Sequence, residues 1–151
     1  NGDGTFTKIS LTGSGLNSFD VAWADYDNDG DLDFAIANYG PDEYLARNDG
    51  GAFTVVTLTG TGGNSRGLAW GDYNNDGWPD IAVSRHNSVA LLVNQQGTFE
   101  SVELENRRDS HGVAWMDWNN DGHLDLVVDD HGLTDLAGQV QHRWPFPIMM
   151  R

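Results

Sequence analysis

The sequence contains no cysteine, which excludes disulfides and zinc-thiolate centres and leaves the redox compartment unreadable from thiols. Basic residues are scarce: eight Lys and Arg stand against 23 Asp and Glu, for a formal charge of −15. A chain of that sign disfavours nucleic acid and anionic membranes as partners. No apolar run approaches the ~18 residues of a membrane span. The chain opens at Asn1 with neither a Met nor an apolar leader, which says nothing about targeting. Only four prolines accompany 19 glycines, the balance of a chain with many turns between short strands. Catalytic signatures are missing too: there is no Gly-x-Ser-x-Gly, no phosphate loop and no His-Glu-x-x-His, and the five histidines are scattered. With 151 residues, 38% of them hydrophobic, the chain is long enough for one cored domain.

What is present is one acidic stretch written three times. Asp25-Tyr26-Asp27-Asn28-Asp29-Gly30-Asp31-Leu32-Asp33 is repeated as Asp72-Tyr73-Asn74-Asn75-Asp76-Gly77-Trp78-Pro79-Asp80 and as Asp117-Trp118-Asn119-Asn120-Asp121-Gly122-His123-Leu124-Asp125. Oxygen side chains fall at positions 1, 3, 5 and 9, with glycine at 6. Oxygens at alternate places of a tight loop are what a hard cation such as Ca²⁺ requires, with a backbone carbonyl from position 7 (Asp31, Trp78, His123) and glycine permitting the sharp turn. Each loop is therefore read as one Ca²⁺ site, three in all. The plain alternative is an Asn/Gly-rich turn without metal, but a turn does not need four oxygens at fixed offsets. A helix-loop-helix calcium hand is excluded because its bidentate Glu at position 12 is replaced by Ile36, Val83 and Val128. The flanks alternate like strands, so each loop joins two strands and Asp33, Asp80 and Asp125 supply the closing carboxylate. Ten acids occupy ligand positions, and three Ca²⁺ would add six charges, taking −15 to −9.

The repeat extends beyond the loops. Phe6, Phe53 and Phe99 are spaced by 47 and 46 residues, and Trp23, Trp70 and Trp115 by 47 and 45. A period of four short strands points to propeller blades or a similar array. Repeat one reads as strands over 21–25, 33–38, 43–48 and 53–58, and repeat two over 68–72, 80–84, 89–94 and 99–104. Repeat three supplies only 113–117 and 125–129. A stray fourth strand of a preceding repeat falls at 6–11, entered like the others through an Asn/Gly-type turn. Ala22, Ala69 and Ala114 precede the repeated Trp, the small-beside-large pairing of close blade packing, so those three Trp are read as core. Trp78 and Trp118 do not recur and are expected to be exposed. After Asp130 the pattern decays: 131–137 reads as the start of a third strand with no Asn-x-x-Gly-x-Phe turn after it, 143–151 shows no strand alternation and has two prolines, and 135–151 is expected to be an atypical, poorly ordered tail.

The signature Ala-Trp-x-Asp-Tyr-x-Asn-Asp-Gly-x-x-Asp, at 22–33, 69–80 and, with Trp118 for Tyr, 114–125, resembles the FG-GAP/VCBS repeat. That family includes the integrin α-subunit propeller and many secreted or cell-surface bacterial proteins. The resemblance covers about residues 1 to 130. It implies all-β propeller blades, Ca²⁺ held between the first two strands of each blade, and a role in adhesion or ligand binding, sometimes as an accessory domain of carbohydrate-active enzymes. At ~46 residues per blade, a ring of four to eight blades needs ~180 to ~370 residues. Residues 1–134 hold a stray strand, two full blades and one partial blade, so the expectation is a fragment of a larger propeller, or self-association to cover its edges.

In an up-and-down blade the metal loops and the Asn-Gly turns share one end, and the segments that differ among repeats share the other. Arg66, Arg85, Arg107 and Arg108 fall at that variable end, with His86, His111 and Tyr39. Arg66, Arg85 and His111 are the candidate contacts for an acidic carbohydrate or a carboxylate-bearing protein ligand. The expected function is a non-catalytic, calcium-binding module. Its expected location is extracellular, cell-surface or periplasmic, where Ca²⁺ is abundant enough to fill such sites. The competing reading is an accessory or catalytic part of a secreted polysaccharide lyase or glycoside hydrolase.

Overall fold

A computed structural model of the chain describes residues 2–11, 17–106, 110–129, 140–143 and 147–150. Among them every regular element is a strand. Strands β1 (Ser18–Ala24), β2 (Asp33–Asn38), β3 (Glu43–Asp49) and β4 (Ala52–Leu58) form one antiparallel sheet in sequence order. Strands β5 (Ser65–Gly71), β6 (Asp80–Arg85), β7 (Ser88–Gln95) and β8 (Thr98–Asn106) repeat it. Strands β9 (Val113–Met116) and β10 (Asp125–Val128) form the first pair of a third sheet. These are the four-stranded, up-and-down blades of a propeller, and the strands expected in the three repeats from residue 21 on lie within three residues of the observed ends.

The pattern of each strand follows its place. In blades one and two the second strand has a strand neighbour on both sides and is buried along nearly its whole length, and Phe34-Ala35-Ile36-Ala37 and Ile81-Ala82-Val83-Ser84 read as nearly unbroken small and apolar runs. Blades stack through these faces. Tyr26, Ala35, Ala37 and Leu45 of blade one meet Leu68, Ile81, Val83 and Leu92 of blade two, with Trp70 and Phe99 packed alongside. Ala82 and Val89 of blade two meet Leu126 and Val128 of blade three, with Trp115 against them.

The small-beside-large pairing acquires a polar partner. Trp70 Nε1 donates to the Ala22 carbonyl at 2.9 Å, and Trp115 Nε1 donates to the Ala69 carbonyl at 3.1 Å. A half-buried indole thus covers apolar surface while its N–H is satisfied on the neighbouring blade. Gly71 is required by the same contact, since a Cβ there would come within 2.6 Å of the Trp115 ring. Trp23 has no preceding blade among the described residues and is 57% exposed, so the core reading holds for two of the three repeated tryptophans. It rests on its own sheet, with ring centroids 4.7 Å from Phe34 and 6.4 Å from Phe53.

Three further expectations are corrected. Residues 6–11 form no strand: no partner strand lies beside them among the described residues, and Phe6 is 98% exposed. A strand leaves half its backbone groups unpaired unless a sheet receives it. The tail does contain strands, since β11 (Val140–Arg143) pairs antiparallel with β12 (Pro147–Met150), which lies near β10. Pro147 sits at the strand's first position, where its missing N–H is tolerated. Trp78 is half-buried, whereas Trp118 is exposed as expected.

Candidate metal centre and variable end

The three loops share one internal wiring. Asp25 accepts the N–H groups of Asp29 and Gly30, both at 3.0 Å. Asp72 does the same for Asp76 and Gly77 at 3.0 and 2.8 Å, and Asp117 for Asp121 and Gly122 at 3.1 and 3.0 Å. The position-1 carboxylate therefore winds the loop around itself. Position 4 (Asn28, Asn75, Asn120) takes φ of 57–58°, and the following glycines take 85–95°. Asparagine tolerates the left-handed region and glycine adopts it freely, which is why Asn-Asp-Gly stands at this corner in every copy. Position 5 accepts the N–H of position 7: Asp29 from Asp31, Asp76 from Trp78 and Asp121 from His123, at 2.8 to 2.9 Å.

In loop one this wiring brings oxygens of Asp25, Asp27 and Asp29 within 4.8 Å of one another. Asp27 Oδ1 is buried with no hydrogen-bond partner. Burial, and then the neighbouring Asp29 and Asp25 charges, push the Asp27 carboxyl above its ordinary value. An orphaned, repelled oxygen inside a carboxylate cluster fits a hard cation, which would satisfy it and remove the repulsion. Loops two and three resolve the same crowding differently. Asn74 and Asn119 donate Nδ2 to Asp76 and Asp121 at 2.8 and 3.0 Å, while their Oδ1 atoms accept the backbone N–H of the same residues at 2.9 Å.

The position-9 aspartates are buried to 0–2% exposure and brace the blade. Asp33 accepts Tyr26 N at 3.2 Å and Asn48 N at 2.7 Å. Asp80 accepts Tyr73 N at 3.1 Å and Asn94 N at 2.8 Å, and Asp125 accepts Trp118 N at 2.9 Å. These carboxylates tie the loop's exit to its entry and, in the first two blades, to the third strand. Burial pushes the Asp33 carboxyl up and that of Asp80 to about 6.

Neighbouring loops are also joined. Asn28 Nδ2 donates to the Gly77 carbonyl at 3.1 Å, and Asn75 Nδ2 lies 3.0 Å from His123 Nδ1. The exposed imidazole of His123 is thus tied to the adjacent loop. Sequence reading missed Asn28 and Asn75 in this role, although an asparagine stands directly before the position-5 aspartate in every loop.

At the opposite end the structure brings together two of the three candidate ligand contacts. The β5–β6 register shifts between Ser65 and Gly67, at Arg66, and bulges re-aim side chains. Its guanidinium meets His111 Nε2 directly and His86 Nδ1 at 3.3 Å. An arginine only donates, so each of those ring nitrogens is the acceptor. His111 is fixed by Asp129, whose Oδ1 accepts the N–H groups of His111 and Gly112 at 2.7 and 2.6 Å. Arg85 does not join them. It is 3% exposed and directed inward, against Glu103 and the Thr61 carbonyl. There it stands near the buried Glu43, which accepts Ser65 Oγ and, at 2.9 Å, Asn38 N. Arg107 and Arg108 lie outside the described residues.

With this geometry in place, a profile of the FG-GAP-like repeat matches residues 25–83 and again 72–128. The chain belongs to the FG-GAP-like repeat family. The two FG-GAP matches begin at position 1 of loops one and two and end inside the second strand of the following blade. The family's unit therefore includes the loop pairs that the Asn28 and Asn75 bridges connect. No curated protein matches the chain. No solved structure matches it either. No helix among the described residues is long and apolar enough to cross a membrane.

Proposed function

We propose that this FG-GAP-like array is a calcium-loaded binding module, non-catalytic, working outside the cytoplasm in an extracellular, cell-surface or periplasmic setting. The supporting observation is the convergence of Asp25, Asp27 and Asp29 around an unpartnered buried oxygen, in a loop whose wiring recurs twice more. Asp25, Asp27, Asp29 and the Asp31 carbonyl would hold the first ion. Asp72, Asn74, Asp76 and the Trp78 carbonyl would hold the second, and Asp117, Asn119, Asp121 and the His123 carbonyl the third. Asp33, Asp80 and Asp125 close each loop. Bound Ca²⁺ would supply charge neutralisation and rigidity, coupling metal binding to folding. Loops held rigid at one end keep the variable end in register.

At that end Arg66, held between His86 and His111, offers a guanidinium for a carboxylate, on an acidic carbohydrate or on a protein ligand. The remaining surface of the array is left for further blades or a second copy.

Thermal melts with and without EGTA, paired with calorimetric Ca²⁺ titration, test the calcium reading. The expected result is a midpoint lowered by chelation and saturation near three equivalents. An unchanged midpoint would sink it. For the variable end, binding of an oligogalacturonate at fixed Ca²⁺ should weaken in Arg66→Ala, and equal binding by that variant would remove the cluster from the ligand site.

A further inference from the structure

We propose that blade two carries a second binding site, for a neutral sugar ring, in the cavity between its cation loop and the β7–β8 turn. The inference starts from a difference between two blades that are otherwise built alike. In blade one the corresponding loop and turn are bridged. Asp31 reaches across to accept the Gly50 N–H at 2.7 Å, and Arg47 lies alongside, paired with Asp49 at 3.0 Å. In blade two all four of those positions carry other residues: Trp78 stands for Asp31, Val93 for Arg47, Gln95 for Asp49 and Gln96 for Gly50. The carboxylate bridge and the long cationic side chain are both gone, and a cavity of about 510 Å³ opens in their place. That volume lies within the ordinary range for small-molecule sites.

The lining selects the ligand. Trp78 is half-buried and supplies the aromatic part of the lining, and Gln95 and Gln96 stand exposed at the rim, with Gln95 Nε2 donating to Glu100 at 2.9 Å. Asp76 also lines the cavity, but Oδ1 already accepts Trp78 N and Oδ2 accepts Asn74 Nδ2, each at 2.8 Å. Asn94 is turned inward, donating to the Tyr26 and Pro79 carbonyls at 2.7 and 3.0 Å. Among the described residues no cationic side chain lines the cavity, and the chain carries a charge of −15, so the one positive partner an anion could meet there is the Ca²⁺ proposed for loop two, and a charged comparator tests for it. One aromatic face opposite neutral amide donors and acceptors matches a pyranose, whose C–H face stacks on an indole while its hydroxyls reach carboxamides.

Gln96 gives a second, independent sign. It holds φ at 57°, where Gly50 of blade one sits at 62°. Glycine adopts that conformation freely, whereas a residue with a Cβ is strained in it. A strained side chain at a cavity rim is where a binding role is to be sought. Neither the Trp78 indole nor Gln96 is part of the carboxylate-binding cluster at the other end, so this site stands or falls apart from that one.

Saturation-transfer NMR on the whole chain, at saturating Ca²⁺, provides the test. The probes are methyl β-glucopyranoside, methyl β-galactopyranoside and N-acetylglucosamine, with galacturonate and tetramethylammonium as charged comparators. At least one neutral probe should bind saturably, and Trp78→Ala should weaken it about ten-fold. Gln96→Gly should weaken the same probe while leaving the melting midpoint equal or higher, a split that a purely structural role would not produce. Should Trp78→Ala fail to fold, Trp78→Leu and Gln96→Gly carry the comparison. The proposal is overturned by no binding of any neutral probe, by unchanged binding in both variants, or by tighter binding of either charged comparator.

Discussion

At the scale of single residues, the three loops differ in how each deals with its own negative charge. Loop one keeps three close carboxylates and an unpartnered Asp27 oxygen, whereas loops two and three place a neutral carboxamide between two acids. More ligand charge strengthens Ca²⁺ binding, so site one should be the tightest. Calorimetry on Asp29→Ala, Asp76→Ala and Asp121→Ala should show the greatest loss of affinity for the first, and the reverse order would contradict this. A second residue-scale consequence concerns Asp80, whose carboxyl burial raises from 3.8 to about 6. A raised folded-state pKa favours the protonated native form. Its stabilising contribution is complete below the unfolded value and is lost as pH rises through about 6. In EGTA, urea stability should therefore fall between pH 4 and pH 7, by roughly 3 kcal/mol from this group. The Asp80→Asn protein should show a visibly shallower slope, and parallel slopes in the two proteins would refute the assignment.

At the scale of elements, the tryptophan contacts make the blade interface unequal along the chain. Trp70 joins β5 to the Ala22 carbonyl of β1, while Trp23 stands at the outer face with no such partner. Trp70→Ala should cost about 2–4 kcal/mol through lost packing and a stranded carbonyl, and Trp23→Ala less than about 1 kcal/mol. Denaturant midpoints compare them directly, and equal losses would deny the interblade role. The same contrast explains what the sequence could show. Strand identity, loop position and blade order were legible because they are written in spacing, and spacing recurs. Trp23 and Trp70 carry the same local signature, and only the presence of a neighbour separates them. Arg66 and Arg85 likewise looked alike as loop cations. A bulge turned one toward His86 and His111, and a buried acceptor set drew the other inward. Residues 6–11 carry a strand's alternation, yet a strand exists only where a sheet receives it.

At the scale of the whole molecule, charge rather than core size governs the array. The chain carries −15, and the ten acids at loop positions lie along one end of successive blades. Those loops are joined through Asn28 and Asn75, so repulsion in one loop bears on the next. Without a divalent ion, two agents remain to reduce that repulsion: protonation at low pH, and screening by salt. Monovalent salt shortens the Debye length from about 10 Å at 0.1 M to about 3 Å at 1 M, a range that spans the separation of neighbouring carboxylates. In EGTA, raising NaCl from 0.1 to 1 M should therefore recover part of the melting midpoint lost on chelation. With saturating Ca²⁺ the same salt should change the midpoint little, because the loop charges are already compensated by bound ions. Differential scanning calorimetry across the four conditions separates the two cases. An identical salt response with and without Ca²⁺ would mean that the loop carboxylates do not set the stability of the array.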